Sequence, residues 1–136
     1  MAPNLTGIDH VHVFVSDRVA AEDWYGRALG FKRVPHLASW AAGGGPLTLA
    51  NESGNTHLAL FEKPRKKCRS TIALGCSSVE FLAWRVHLQS VLGRELETVD
   101  HEHSWSLYFE DPDENPFEIT SYEYDELSGH LRDAGA

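Results

Sequence analysis

The sequence predicts an α+β fold in which the whole 136-residue chain is one domain of two βαβββ modules. A β-branched run over residues 7–15 precedes a helical apolar repeat and three strand-like runs, and this order of elements returns in the second half of the chain. The spacing also repeats: His10 lies six residues before Ser16, and Thr71 lies six before Ser77. A duplicated module is the economical explanation of both observations.

The first predicted module covers residues 7 to about 62. After its opening strand, Ser16 or Asp17 offers a helix N-cap, and Gly30 ends the helix as a residue that tolerates the left-handed conformation. The helix has one apolar face, made of Ala20, Ala21, Trp24, Tyr25, Ala28 and Leu29. Glycine-rich and asparagine-rich turns then separate three predicted strands, at Phe31–Val34, Leu47–Ala50 and His57–Phe61.

The second predicted module covers residues 70 to about 122. It opens with a strand at Ser70–Gly75, and Ser77-Ser78-Val79-Glu80 fits a capping box for the following helix. The helix carries an apolar stripe of Phe81, Trp84, Leu88 and Val91 and ends near Gly93. Three strands follow, near Leu96–Val99, Ser104–Phe109 and Pro116–Tyr122, and residues 123–136 form a C-terminal tail.

Composition narrows the class of protein. Twenty acidic against twelve basic residues leave a net charge of −8, which is the wrong sign for a nucleic-acid surface. No stretch reaches the roughly 20 apolar residues of a membrane span. The two cysteines, Cys68 and Cys76, lack the CxxC spacing and are expected to be free thiols. We therefore expect a cytoplasmic protein that binds neither nucleic acid nor membrane.

Two motifs carry a resemblance to a known family. Ile8-Asp9-His10-Val11, followed by Trp24-Tyr25 and Leu29-Gly30-Phe31, resembles the opening of vicinal oxygen chelate proteins (glyoxalases, bleomycin-resistance proteins and extradiol dioxygenases). Residues 107–119 look like the last hairpin of that family, with Glu114 in place of the usual turn glycine. The resemblance covers residues 7 to about 122. It implies an open, cup-shaped mixed sheet with the helices outside, and a homodimer.

The resemblance also implies ligand positions for one divalent metal ion. The first strand matches the family with His10, and the last strand matches it with Glu118. The other two positions depart from the family, because Thr71 stands where many members have histidine and Ala59 where glyoxalase I has glutamate. His57 lies two residues from Ala59 on the same strand face and is a candidate replacement. The expected cofactor is Fe, Mn, Zn or Ni at His10, Glu118 and His57, or no metal at all.

Strand alternation suggests which further side chains share the pocket. His12 lies on the same strand face as His10. The other expected substrate-binding residues are His57, Thr71, Ser106, Tyr108, Thr120 and Tyr122. By resemblance to the fosfomycin-modifying thiol transferases, Ser106 and Tyr108 lie at the substrate. The large aromatics divide into two groups: Trp24, Tyr25, Phe81 and Trp84 belong to the core, whereas Trp40 and Trp105 are equally suited to the core or the pocket wall. His101 and His103 are read as an adventitious surface pair.

Two functional hypotheses follow. In the first, the protein is a metal-dependent enzyme acting on a small oxygen-bearing substrate, with Glu118 and Tyr108 as catalytic groups and the reaction open between isomerase, lyase, dioxygenase and thiol-transferase chemistry. In the second, it is a metal-free binding or resistance protein of the bleomycin-resistance type. The acidic surface would suit a cationic ligand.

Overall fold

The computed structural model describes residues 1–132, which fall into two compact units, Met1–Lys67 and the described part of Cys68–Ala136. Each unit contains one open, four-stranded mixed sheet with helices, so the predicted α+β class and the repeated module are confirmed. The sheet order is β1-β4-β3-β2 in the first unit and β5-β8-β7-β6 in the second. In each sheet the first and last strands of the module pair in parallel, while the other pairs are antiparallel.

The N-terminal unit follows the predicted order with one addition. Its strands and helices are β1 (Val11–Val15), α1 (Arg18–Leu29), β2 (Lys32–Arg33), α2 (Ala38–Ala42), β3 (Leu47–Ala50) and β4 (His57–Glu62). A 3-10 turn, Pro35–Leu37, leads into α2, and neither element was expected from the sequence. The predicted opening strand was too long, because β1 begins at Val11, where its pairing with β4 begins.

Capping residues at both ends of α1 determine where the helix begins and ends. The Asp17 carboxylate accepts hydrogen bonds from the backbone N–H groups of Val19 and Ala20, and Gly30 ends the helix at φ 74°. The predicted apolar face is buried apart from Ala20, which lies on the exposed side of the helix. Tyr25 and Ala28 are fully buried, so α1 covers the inner face of its sheet.

The C-terminal unit repeats this plan. Its elements are β5 (Ile72–Gly75), α3 (Ser78–Leu92), β6 (Val99–Asp100), β7 (Trp105–Glu110), β8 (Pro116–Ser121) and α4 (Tyr124–Leu131). Ser77 caps α3 by accepting from the Glu80 N–H, and Gly93 ends the helix at φ 68°. Within the α3 stripe Phe81 and Leu88 are fully buried, whereas Trp84 and Val91 are only half-buried. Trp84 is therefore not the core residue that its spacing predicts; its ring meets the edge of His87 instead.

The tail predicted for residues 123–136 contains a helix. Leu127 and Leu131 lie one helical turn apart in α4 and are both buried, which gives this short helix an apolar anchor. Residues 133–136 lie outside the described part of the chain. No helix among the described residues is long and apolar enough to cross a membrane.

Neither Cys68 nor Cys76, both of them among the described residues, forms a disulfide, as predicted. Burial, together with the negative charges of Glu80 and Glu123, raises the pKa of the Cys76 thiol to about 11. A thiol with so high a pKa is protonated near neutral pH, which makes Cys76 a poor nucleophile.

Candidate functional site

The N-terminal sheet has one buried face and one open face. Along β1, Val13 and Val15 are buried against the core, so His12 and Phe14 point to the other side. Cross-strand register places His12 beside Ala59 and Phe14 beside Phe61 on this open face. The rings of His12 and Phe61 are 4.6 Å apart between centroids, which continues an aromatic row along the strand pair.

A cavity of about 160 Å³ opens on this face, entirely within the N-terminal unit. It is lined by Asp9, His10, Leu37, Trp40, Pro46, Thr48, His57 and Ala59. Two residues predicted from the sequence, His10 and His57, thus line the same cavity, and Trp40 belongs to its wall. The lining is mostly apolar with a few polar groups, as in many small-molecule sites.

His10 is held from two sides. Its Nδ1 lies 2.8 Å from Asp9 Oδ2, and its Nε2 lies 3.2 Å from His12 Nε2. The two imidazole rings stack with centroids 5.1 Å apart. With its Nδ1 proton directed at Asp9, His10 has its acceptor nitrogen, Nε2, facing His12, so a ligand or metal at Nε2 would replace that contact.

These donors fit only part of a metal site. Two imidazole nitrogens bound at about 2.0–2.1 Å to one zinc ion lie roughly 3 Å apart, close to the spacing of the His10 and His12 Nε2 atoms. Among residues 1–132, however, no group of three or more His, Cys, Asp or Glu side chains is arranged to hold an ion. Ala59 and Thr71, at two family ligand positions, have no side chain of the usual ligand type. The donor set is therefore incomplete.

The open face of the C-terminal sheet carries a hydrogen-bonded network. The Ser106 hydroxyl is fully buried and lies 2.6 Å from Glu118 Oε1 and 3.2 Å from Thr120 Oγ1. Alternation along β8 buries Phe117 and Ile119 on the opposite face, as predicted. The carboxylate of Glu118 is therefore anchored on the open side of the sheet, half-buried, by a hydroxyl of the neighbouring strand.

Tyr108 pairs directly with Glu118 across β7 and β8. Its hydroxyl lies 2.9 Å from His101 Nε2, and 43% of the residue is exposed. Partial burial first, and the charge of Glu118 second, raise the pKa of the Tyr108 phenol. Tyr108 is thus a protonated hydroxyl beside a carboxylate. His101 and His103 are both exposed, and the hydrogen bond between His101 and the Tyr108 hydroxyl was not predicted from the sequence.

Three other predicted residues differ in their burial. Thr71 is exposed just before β5, and Tyr122 is 77% exposed just after β8. Trp105 belongs to the core, where its indole N–H donates to Ser128 Oγ and its ring stacks on Tyr124. His10 and Glu118 belong to different units, so their shared metal ion stays a prediction.

Sequence reasoning missed several residues of the cavity. Thr48 carried a usable signal, because alternation with the buried Leu47 and Leu49 assigns it to the open face. Leu37 and Pro46 had none, because they flank a helix that no periodic pattern announced. Asp9 lies in the opening motif Ile8-Asp9-His10-Val11, from which no role for its carboxylate follows.

Comparison with known proteins agrees with this architecture. The family model described as Glyoxalase/Bleomycin resistance protein/Dioxygenase superfamily matches residues 7–119. No protein of curated function matches the chain.

Three solved structures illustrate the likeness of fold. The integron cassette protein HFX_CASS4 from the mobile metagenome of Halifax Harbour sewage outfall is 21% identical, with a TM-score of 0.71, over 86% of this chain and 99% of its own. A glyoxalase/dioxygenase from Nostoc punctiforme is 23% identical, with a TM-score of 0.66, over 90% of this chain and 95% of its own. The fosfomycin resistance protein FosX of Listeria monocytogenes, complexed with Mn(II) and sulfate, is 14% identical, with a TM-score of 0.63, over 93% of this chain and 98% of its own.

Proposed function

Because the chain belongs to the Glyoxalase/Bleomycin resistance protein/Dioxygenase superfamily, we propose that it binds a small ring-containing molecule in the cavity of its N-terminal unit. The observation that carries the proposal is the cavity itself, with two imidazoles and one indole in an otherwise largely apolar wall. On this proposal the protein is a binding or resistance protein, because Ala59 and Thr71 offer neither an imidazole nor a carboxylate at two positions where the family has metal ligands.

The volume of the cavity limits the size of the ligand. An apolar cavity of about 150 Å³ accepts a benzene molecule, so about 160 Å³ suits one ring with a small substituent. Ala59 contributes to this space because it is small where glyoxalase I has a glutamate. A larger ligand would have to extend out of the cavity.

The polar groups of the cavity suggest the ligand's chemistry. His10 and His57 offer imidazole nitrogens, and Thr48 offers a hydroxyl. Asp9 is the lining residue with a formal negative charge, and the chain carries a net charge of −8. A neutral or cationic ring compound is therefore favoured over an anionic one.

Benzylamine, benzyl alcohol and benzoate test this proposal as ring compounds of similar size and different charge. At about −0.5 kcal/mol per non-hydrogen atom, roughly eight atoms give a Kd of about 1 mM, which ligand-observed NMR detects. Benzylamine is expected to bind most tightly and benzoate least. Tighter binding of benzoate would contradict the charge preference, and failure of all three to bind would contradict the proposed site.

A cavity-filling variant locates the binding site. Ala59→Leu adds apolar volume inside the cavity and should abolish probe binding, whereas Ala83→Leu, on the exposed side of α3, should not. His57→Ala should weaken binding while the matched control His103→Ala leaves it unchanged, because His103 is exposed outside the cavity. Equal Kd values for Ala59→Leu and Ala83→Leu would place the probes elsewhere.

One observation supports the metal-dependent enzyme as a second candidate. The Nε2 atoms of His10 and His12 lie close enough to share one ion. In that enzyme Glu118 would accept a proton and the Tyr108 hydroxyl would donate one, with Ser106 and His101 holding these two groups in place. Whether Glu118 also binds the ion of His10 and His57 is part of the proposal.

Metal content separates the two candidates. Wild type would be loaded with Mn, Fe, Zn or Ni, desalted and measured beside His10→Ala, His57→Ala, Glu118→Gln and the control His103→Ala. The enzyme hypothesis predicts one ion per chain in wild type and in the control, and a loss in His10→Ala and Glu118→Gln. Unchanged metal in His57→Ala would leave His57 without a ligand role, and equal content in all five proteins would mean that the ion binds elsewhere.

A homodimer, which the family resemblance implies, and a cytoplasmic location, which the sequence favours, are likewise part of the proposal. Sedimentation velocity over a range of protein concentrations tests the dimer. A monomer at every concentration would contradict it.

A further inference from the structure

The segment of residues 35–45, hereafter the Trp40 segment, forms one side of the cavity. It contains the 3-10 turn, α2 and three consecutive glycines, and it contributes Leu37 and Trp40 to the lining. Trp40 is 53% exposed, and within residues 1–132 its indole neither stacks on another ring nor donates a hydrogen bond. A large flat ring with an unused N–H group at a cavity is suited to contact a ligand.

Arg18, at the start of α1, holds this segment from outside the cavity. Its guanidinium donates to two backbone carbonyls, that of Gly45 at 2.6 Å and that of Ala41 at 3.4 Å. The side chain is only 25% exposed. These bonds connect the first turn of α1 to the end of α2, 23 and 27 residues further along the chain.

Glu62, at the end of β4, orients Arg18 in turn. Its carboxylate Oε2 accepts from the Arg18 backbone N–H at 3.0 Å and lies 3.9 Å from Arg18 Nε. The carboxylate also lies at the N-terminus of α1, where the helix dipole favours negative charge. The position of the guanidinium is therefore set by both the helix and the sheet.

Close backbone packing fixes the segment from within. The Gly45 N–H donates to the carbonyl of Trp40 at 2.7 Å, and a Cβ atom at Gly45 would lie 2.9 Å from that same oxygen. Any larger residue at position 45 would push the Trp40 backbone away. Glycine is thus required here by close approach and not by an unusual φ angle.

We infer that Arg18 is a positioning residue that sets Trp40 at the cavity, and that a flat ring of the ligand lies against the Trp40 indole. The inference rests on the proposed function for its ligand, but the link between Arg18 and Trp40 can be tested without one. Arg18 does not line the cavity, so its effect on binding passes through the Trp40 segment.

Acrylamide quenching measures this link directly. The Trp40 signal is the difference between the fluorescence of each protein and that of its Trp40→Phe counterpart. Arg18→Gln should make Trp40 more accessible to acrylamide, and Arg18→Lys, which keeps a single charged donor group, should restore part of the wild-type value. Arg27→Gln is the matched control, because Arg27 lies on the same helix but bonds to the exposed Asp23.

Binding of benzylamine provides the second readout. Trp40→Ala and Arg18→Gln should each raise its Kd about five- to tenfold, the size of one aromatic contact. Gly45→Ala displaces the segment by a different route and should give the same result if Arg18→Gln folds poorly. Thermal melting of every variant identifies those that are unfolded.

The outcomes are distinguishable. Quenching in Arg18→Gln equal to that in Arg27→Gln, with both variants folded, would overturn the positioning role. An unchanged Kd in Trp40→Ala would overturn the ring contact. If wild type binds none of the three probes, the proposed function fails, while the quenching comparison still decides whether Arg18 positions Trp40.

Discussion

The two units share their plan but differ on their open faces. In the N-terminal unit the open face is aromatic and imidazole-rich, with stacked His10 and His12 beside a cavity. In the C-terminal unit it carries hydroxyls and a carboxylate, with Ser106 fully buried against Glu118. The opposite face of each sheet is apolar and buried, for example at Leu47 and Leu49 in β3 and at Phe117 and Ile119 in β8, because that face packs against the core. The repeated module therefore constrains the core, while the open faces are free to acquire different chemistry.

The same comparison extends to the turn before the last strand of each module. Asn51 and Asp111 each begin such a turn, and each accepts backbone hydrogen bonds through its side chain. Three residues later, Gly54 and Glu114 donate to the carbonyl of that first residue at 3.0 and 2.9 Å. Both are left-handed, at φ 75° and 67°. The left-handed position is thus occupied by glycine in the first turn and by Glu114 in the second, where the family usually has glycine.

The largest difference between the turns should appear on removing their first side chains. Asp111 is 4% exposed and accepts from the backbone N–H groups of Asp113 and Asn115 and from the Asn115 amide. Asp111→Ala should lower the free energy of unfolding by about 3 kcal/mol, because charged acceptors are lost and buried donors are left unpaired. Asn51→Ala should cost about 1 kcal/mol.

Urea unfolding of both variants measures this difference, with Asp111→Asn as the control that keeps the shape and one acceptor oxygen. Equal losses for Asp111→Ala and Asn51→Ala would show that the second turn is no more dependent on its first side chain than the first turn.

Exchanging the left-handed residues should give smaller effects of opposite sign. Glu114→Gly should stabilise the protein by about 1 kcal/mol, because a residue with a Cβ atom is strained at this φ. Gly54→Glu should destabilise it by a similar amount for the same reason. Thermal melting of both variants checks the pair, and a loss of stability in Glu114→Gly would mean that the Glu114 side chain makes contacts that outweigh the strain.

The smallest effect concerns the ionisation of Tyr108. The charge of Glu118 disfavours tyrosinate and so contributes to the raised pKa of Tyr108. Glu118→Gln removes that charge, so Tyr108 should ionise at lower pH in the variant than in wild type. Ultraviolet titration, with Tyr108→Phe to identify the signal, measures the shift. An unchanged midpoint would separate Tyr108 electrostatically from Glu118 and weaken the case for a shared polar site.

Much of the fold was predictable because its signals are local. Asp17 and Ser77 cap their helices through bonds to residues two or three positions away, and Gly30 and Gly93 end them through their own backbone freedom. Strand alternation likewise assigned Glu118 to the face opposite Phe117 and Ile119. Each of these signals depends on neighbours within one turn or one strand.

Other features depended on partners far away in the chain. The sequence assigns Trp105 to the core or to the pocket wall equally well. Its contacts with Ser128 and Tyr124 of α4, more than 18 residues further along the chain, place it in the core. β1 begins at Val11 because β4 pairs with it from there, although the sequence predicts a strand from residue 7. Trp84 has helical core spacing but stays half-buried. Periodicity records which side of an element is apolar, and it does not record how much of that side a neighbour covers.

By itself, then, the sequence determined the α+β class, the two modules, the helix caps and the strand faces of His12, His57 and Glu118. Tertiary structure alone decided that Leu37 and Trp40 wall a cavity, that Ser106 anchors Glu118, and that Arg18 reaches Gly45. The physical reason is range. Caps and alternation act over a few residues. A cavity wall, or a hydrogen bond between residues far apart in sequence, depends instead on the register and packing of elements that are distant along the chain.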